Sequence, residues 1–175
     1  ENQYEDTLLL FKYYIECLYL LGQFDKADRA FESVVFKAKS RSEKADFYLL
    51  RMQAYASVGE HLKAIEYAIQ ALDLFNFHVP VKVNRFHVLY EIWKIRWLLR
   101  GRSVKDLEKS FVPVTEEDDI VIAKLLSKII PSSFLTANSN LLALIVCTLV
   151  RLSLTKGYDE ETSYVYLNFA SILIA

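Results

Sequence analysis

Apolar side chains recur at intervals of three and four residues through most of the chain, which is the spacing of amphipathic helices. No stretch alternates apolar and polar residues with the two-residue period of a strand for long enough to predict a sheet. Only four Gly and three Pro interrupt the pattern, so long helices joined by short loops are expected. The sequence therefore predicts an all-α fold.

The N-terminal half repeats one pattern, a Gly followed five residues later by an Ala and four residues after that by a core residue. Segment 21–27 (LGQFDKA) with Phe31 matches segment 58–64 (VGEHLKA) with Ala68. The pattern is typical of helical hairpins, because a turn Gly tolerates positive φ and a small Ala lets two helices lie close together. The predicted turn and packing positions are Gly22, Ala27, Tyr55, Gly59 and Ala64.

The length of the repeat indicates a structural class. Gly22 and Gly59 lie 37 residues apart (59 − 22), close to the roughly 34 residues of a tetratricopeptide repeat. The two hairpins are predicted over about 4–41 and 43–76. Between them, Ser40 and Glu43 can form a capping box that starts the second hairpin.

We therefore expect a single-domain, right-handed α-solenoid. Two tetratricopeptide-like hairpins occupy residues 1–78, and an irregular helical continuation of the same solenoid occupies residues 79–175. The apolar pattern continues to Ala175 without a cap, so we expect the chain to be a piece of a longer polypeptide.

A long helix is predicted over residues 82–100, ended by Gly101. It carries apolar side chains on two faces, and a helix of that kind is expected to be sandwiched between neighbours. The two faces are Phe86, Tyr90, Trp93 and Trp97 on one side and Val88, Ile92, Ile95 and Leu99 on the other.

Start and stop signals predict four more helices. They are a short helix from Ser103 to about Ser110, a helix capped by Thr115 and broken by Pro131, an apolar helix from Asn138–Asn140 to Lys156 stopped by Gly157, and a final helix capped by Asp159. The acidic run at 116–119 could bind a cation or a basic partner, but the positive end of a helix dipole explains it with fewer assumptions.

Composition excludes several classes of function. The net charge of −1 gives no field that draws nucleic acid or an anionic membrane to the whole chain. The apolar run from Leu141 to Val150 is shorter than the roughly 20 residues of a membrane span, so it predicts a core helix. We expect a cytoplasmic protein without a membrane span.

The reactive residues form no recognisable site. Cys17 and Cys147 stand among apolar neighbours and are predicted to be buried free thiols. The three histidines, His61, His78 and His87, have no carboxylate or thiol at metal-binding spacing. With no phosphate loop or nucleophile motif either, we expect no catalytic residue, no cofactor and no metal.

Two candidate binding surfaces follow from the helix register. The first is a groove for a protein or peptide, formed by Lys12, Glu16, Tyr19, Asp46 and Gln53. The second is a basic stripe, formed by Lys82, Arg85, Arg96 and Arg100. The stripe is either a docking surface for an anion (an acidic peptide, a phosphate or RNA) or a solvated edge whose arginine stems cover buried aromatics. Burial of the aromatics disfavours nucleic acid, which needs exposed rings for stacking.

Four segments resemble a known family: 59–68 (GEHLKAIEYA), 98–107 (LLRGRSVKDL), 113–130 and 149–157 (LVRLSLTKG). They are similar to the helical region after the predicted ATPase module of large bacterial signalling proteins, the signal-transduction ATPases with numerous domains (STAND). Many of these also carry a serine/threonine kinase-like, histidine kinase or nucleotide cyclase domain. The resemblance implies a sensor-and-linker role and carries over no nucleotide-binding residue.

The leading functional hypothesis is a non-catalytic interaction or regulatory segment of a signalling ATPase or kinase. Its partners would be a protein, a peptide or flanking domains of the same polypeptide. The alternatives are a self-standing peptide-binding scaffold and nucleic-acid binding through the basic stripe of residues 82–102. We also expect the isolated chain to self-associate through apolar faces.

Overall fold

The computed structural model describes residues 2–80, 82–101, 113–157 and 165–174. These residues form helices and no β-strand, which confirms the all-α prediction. The helices in the described part are α1 (Asn2–Leu20), α2 (Phe24–Lys37), α3 (Arg41–Ser57), α4 (His61–Asp73), α5 (Arg85–Leu99), α6 (Glu117–Leu135), α7 (Ser139–Lys156) and α8 (Val165–Ile174). The chain divides into two compact units, 1–77 and 78–175.

In the first unit, α1 packs against α2, α3 packs against α4, and α3 also contacts both α1 and α2. Each of the two predicted Gly turns lies in the left-handed region, with φ of 70° at Gly22 and 83° at Gly59. After α1, the Gln23 N–H reaches back to the Leu18 carbonyl at 2.9 Å, while the Gly22 N–H bonds the Tyr19 carbonyl. The turn after α3 repeats both bonds, so each first helix ends in a Schellman motif.

The side chains placed at the hairpin contacts are buried as the repeat predicts. Ala27 and Ala64 have no exposed surface, and Tyr55 is 8% exposed. The predicted capping box is also confirmed, since Ser40 Oγ accepts from the Glu43 N–H at 3.0 Å while the Glu43 carboxylate accepts from the Ser40 N–H at 3.1 Å. These contacts fix where α3 begins and how closely its partner helix approaches.

In the second unit, α7 is the central helix, because α5, α6 and α8 all pack against it. The predicted bounds of α7 are confirmed, with the Asn138 side chain accepting from the Leu141 N–H and Gly157 following Lys156. Among the described helices, α7 alone has the length and apolar composition of a membrane-spanning helix, and 56% of it is buried in the protein. A helix buried in the core of a protein also has this length and apolar composition, so α7 meets both descriptions.

α5 begins later than predicted, at Arg85 instead of residue 82. The reason is a capping box at Asn84, whose side chain accepts from the His87 N–H while His87 Nδ1 accepts from the Asn84 N–H. The helix ends before Gly101, which has a φ of 78°. At the end of α7, Gly157 also has positive φ.

Two predicted signals around α6 are wrong. Thr115 is not its cap, because the residue before the helix is Glu116, which makes no side-chain capping bond. Pro131 does not break the helix, which continues to Leu135. Ile129 and Ile130, directly before Pro131, are buried, and burial of two such side chains offsets the roughly 3 kcal/mol that an internal Pro costs. The predicted short helix from Ser103 and the Asp159 cap lie outside the described residues.

Candidate protein-interaction surfaces

The predicted groove residues lie on the neighbouring helices α1 and α3. Three of them, Glu16, Tyr19 and Gln53, line one groove with a volume of about 300 Å³. The other two form an ion pair, with Lys12 Nζ 3.8 Å from Asp46 Oδ2. The remaining lining residues are mostly apolar: Leu20, Leu50, Ala54, Ser57 and Val58. The structure therefore brings all five predicted residues onto adjacent helices, and their role in binding stays a prediction.

The wall of this groove is anchored by one carboxylate, Asp28 of α2. The hydroxyls of Tyr19 and Tyr55 each donate to it, at 2.7 Å to Oδ1 and 2.7 Å to Oδ2. Burial raises the pKa of both phenols above the ordinary value of 10.0, and the hydrogen bonds to Asp28 raise it further. Both tyrosines are therefore neutral donors, and one side chain of α2 holds α1 and α3 together.

Arg51 of α3 completes this network. Its Nε lies 3.0 Å from Asp28 Oδ1, and its guanidinium lies over two rings, those of Phe31 at 4.5 Å and Tyr67 at 4.0 Å. Burial lowers the pKa of Arg51, but the Asp28 carboxylate together with Tyr67 and Tyr19 outweighs this, so the pKa is raised. Since Tyr67 lies on α4, the network joins all four helices of the first unit. The network therefore holds the groove walls in place in the unbound chain, which lowers the entropic cost of binding.

The beginning of α1 is held by a second polar cluster. Tyr4 Oη donates to Glu43 Oε2 at 2.8 Å, and the Lys39 N–H bonds both of these oxygens. Burial alone would raise the pKa of Glu43, but the hydrogen bonds from Ser40, Tyr4 and Lys39 lower it. These contacts support the fold and carry no chemistry of their own.

The basic stripe of the second unit is exposed at all four predicted positions, Lys82, Arg85, Arg96 and Arg100. Within the described residues, none of these four cations has a carboxylate partner. The two arginines nearest the end of α5, Arg96 and Arg100, line a groove of about 760 Å³ together with Trp93 and Trp97. Anion docking through the stripe stays a prediction.

The aromatic face of α5 is not buried, so the predicted sandwich is wrong. Its apolar side chains are 57–80% exposed: Phe86, Leu89, Tyr90, Trp93 and Trp97. The described neighbour of α5 is α7, which covers the opposite side of the helix, where Glu91 and Ile95 are buried. A single covering helix buries only one face, and this removes the argument that the aromatics are unavailable to a ligand.

Sequence reasoning missed the two ionic networks. In the second unit, Glu91 Oε2 accepts from Arg151 Nε at 2.7 Å and Glu91 Oε1 accepts from Lys94 Nζ at 2.7 Å. The available signal was a lone charge placed on an apolar helix face, which occurs at Glu91, Arg151 and Arg51. A buried charge of this kind needs a partner, so it marks a contact between helices.

The two cysteines differ in a way that the sequence did not predict. Cys17 is exposed, so the expectation of two buried thiols is wrong for this residue. Cys147 is buried, and burial together with the Glu91 carboxylate raises the pKa of its thiol to about 12. The prediction fails at Cys17 because the thiol lies on the outward face of α1, beside the exposed Tyr13 and Tyr14.

The described residues contain no group of three or more His, Cys, Asp or Glu side chains that could hold a metal ion. The acidic run before and within α6 has a local role instead, since Asp119 Oδ2 pairs with Lys156 Nζ at 3.1 Å. No protein-family model, curated protein sequence or solved structure matches the chain.

Proposed function

We propose that the chain is a non-catalytic protein-interaction segment that regulates a cytoplasmic bacterial signalling ATPase or kinase. In this proposal, its two hairpins stack as tetratricopeptide-like repeats of a right-handed α-solenoid. A protein or peptide in the α1–α3 groove changes the relative placement of the helix pairs, and flanking domains of the same polypeptide respond to that change.

The observation that carries the proposal is the groove between α1 and α3. It combines an apolar lining with two exposed polar side chains, Glu16 and Gln53, above a base fixed by Asp28. Peptide grooves use this combination, in which apolar contacts supply affinity and a few polar groups fix register. The repeated Schellman turns and the contacts of α3 with both α1 and α2 support successive repeats.

The resemblance to the helical region of STAND signalling proteins supplies the regulatory part of the proposal. Those proteins link helical segments to catalytic domains, so a binding event in this chain would act on a neighbour. A self-standing peptide-binding scaffold is the second candidate. It uses the same groove and has no catalytic domain to control.

The test is made in the full-length protein. We expect deletion of residues 1–175 to leave basal ATPase or kinase activity and to abolish its response to the signal. The variant Glu16→Lys reverses one exposed charge in the groove and should weaken the response without loss of helix content. Glu32→Lys, the same change at an exposed position of α2, is the matched control. Unchanged regulation after the deletion would refute the regulatory role.

The scaffold alternative is separated by a binding assay. Peptides selected from a random library on the isolated chain should bind wild type and Glu32→Lys more tightly than Glu16→Lys. Groove-dependent binding together with unaltered regulation would favour the scaffold. Absence of any groove-dependent peptide would contradict both candidates.

A further inference from the structure

The outward face of α5 combines aromatic and basic side chains in a way that the groove on α1 and α3 does not explain. Five large apolar side chains on this face are exposed, and Arg85, Arg96 and Arg100 stand among them. Exposed Trp and Arg together are the residues most enriched at the centres of protein interfaces. We call the set Phe86, Leu89, Tyr90, Trp93, Trp97, Arg85, Arg96 and Arg100 the α5 face.

The exposure of this face is fixed by the opposite side of the helix. Glu91 is 8% exposed and bonds Arg151 of α7, while Ile95 is 2% exposed. If α5 rotated about its axis to turn the aromatic side chains inward, Ile95 would become exposed and the ion pair between Glu91 and Arg151 would break. The aromatic residues are therefore held outward by the fold, which is typical of a binding surface.

The spacing of the aromatic residues indicates the shape of the occupant. Phe86, Tyr90, Trp93 and Trp97 follow one another at intervals of four, three and four residues. The average interval, (97 − 86)/3 or about 3.7 residues, is close to the 3.6 residues of one helical turn, so the four rings form a nearly straight seam along α5. A helix with an apolar stripe of the same period can pack along the whole face.

The charge of the face indicates the chemistry of the occupant's flanks. The face carries three arginines and no carboxylate, because the carboxylate of α5, Glu91, is buried on the other side and paired with Lys94 and Arg151. Carboxylates beside the apolar stripe of a partner would pair with Arg96 and Arg100. A second copy of the α5 face would instead bring arginines against arginines, which disfavours self-pairing.

Single-stranded nucleic acid fits the same face less well. The rings of Tyr90 and Trp93 already stack on each other, at 6.1 Å between centroids and 10° between planes. Lys94 Nζ lies 4.2 Å from the centroid of the Tyr90 ring and occupies one of its faces. Exposed Leu89 offers apolar surface that a partner helix would cover and a base would not use for stacking.

We propose that the α5 face binds an acidic amphipathic helix of a protein partner, with the partner's apolar stripe on the aromatic seam and its carboxylates on Arg96 and Arg100. The proposal adds a second surface to the interaction role proposed above and uses none of the residues of the α1–α3 groove. Either surface can therefore fail its test without deciding the other.

The experiment uses two synthetic helices of about three heptads, both with Leu along the stripe, one with Glu and one with Lys at the flanks. The two tryptophans of the chain both lie on the α5 face, so their emission reports on it directly. We expect the Glu-flanked helix to bind and to shift this emission to shorter wavelength, and the Lys-flanked helix to bind at least about tenfold more weakly.

Charge reversal on the chain supplies the matched control. Arg96→Glu with Arg100→Glu should weaken binding of the Glu-flanked helix about tenfold or more and strengthen binding of the Lys-flanked one. Arg29→Glu, at an exposed position of α2, should change neither. Circular dichroism and thermal unfolding check that the variants fold. Equal binding of the two helices, no effect of the double reversal, or tighter binding of oligothymidylate than of the Glu-flanked helix would overturn the proposal.

Discussion

Arg151 of α7 donates from Nε to Glu91 Oε2 of α5 at 2.7 Å, across the main helix contact of α5 in the second unit. The two side chains are 24% and 10% exposed, so the pair is largely removed from water. A buried ion pair of this kind sets orientation more than it adds stability. Here it lies on the side of α5 that packs against α7, while the aromatic side chains on the opposite side stay exposed.

Breaking this pair should destabilise the chain. We expect Arg151→Met to lower the free energy of unfolding by about 2–3 kcal/mol, because Lys94 is then the one cation among the described residues that still pairs with Glu91. Denaturant unfolding followed by circular dichroism measures the change. Lys12→Met removes an exposed ion pair instead and should cost about 0.5 kcal/mol or less. Equal losses in the two variants would show that the Glu91–Arg151 pair does not fix α5.

The Asp28 network predicts a decline in stability at alkaline pH. The pKa values of Tyr19 and Tyr55 are raised in the folded state above the ordinary value of 10.0. Their contribution is fully present below about pH 10 and is lost as the pH rises toward the folded-state values. Phenolate absorbance should therefore show that Tyr19 and Tyr55 ionise only as the chain unfolds.

The matched variant for this pH dependence is Tyr19→Phe with Tyr55→Phe. It loses two hydrogen bonds to a carboxylate, so it should be less stable at neutral pH by roughly 2–4 kcal/mol. Its stability should then fall less steeply above about pH 10 than that of the wild type. A single titration of all phenols in the folded protein would contradict the raised pKa values.

The turn at Gly59 should depend on backbone conformation alone. Its φ is 83°, and a Cβ built there would meet no atom within 4 Å. We expect Gly59→Ala to destabilise by about 1 kcal/mol and Gly59→Asn by less, because Asn tolerates the left-handed region. Thermal unfolding of both variants distinguishes this conformational effect from a steric one. A steric effect would make the larger Asn more destabilising than Ala.

The two thiols should react very differently. Cys17 is exposed, whereas Cys147 is buried with a pKa of about 12. A disulfide reagent at neutral pH should therefore label one thiol in the folded chain and two after denaturation. Cys17→Ser should abolish labelling of the folded chain. Rapid labelling that persists in this variant would show that Cys147 is accessible and that the α5–α7 contact opens easily.

Local signals predicted the first unit well because each one acts over a few residues. Gly22 and Gly59 end their helices because each adopts positive φ, as the repeat indicated. Ser40 and Glu43 form the predicted capping box. Pro131 shows the limit of such signals, since the packing of its neighbours outweighs its local preference.

The candidate sites were harder to predict, because exposure depends on which helices pack together. The two apolar faces of α5 look equivalent in sequence, yet α7 covers one and leaves the other exposed. Asp28 and Arg51 lie 23 residues apart and become partners only once the hairpins associate. Pairing of this range cannot be read from helical periodicity.

The most direct measurement for the central claim, that rigid helices of this chain present open docking surfaces, is collisional quenching of its tryptophan emission. Trp93 and Trp97 are the two tryptophans of the chain, and both are exposed on α5. In the folded protein we expect acrylamide to quench them almost as well as free tryptophan, with emission at a similarly long wavelength. Emission at short wavelength that acrylamide quenches poorly would show that the α5 face is covered and would contradict the claim.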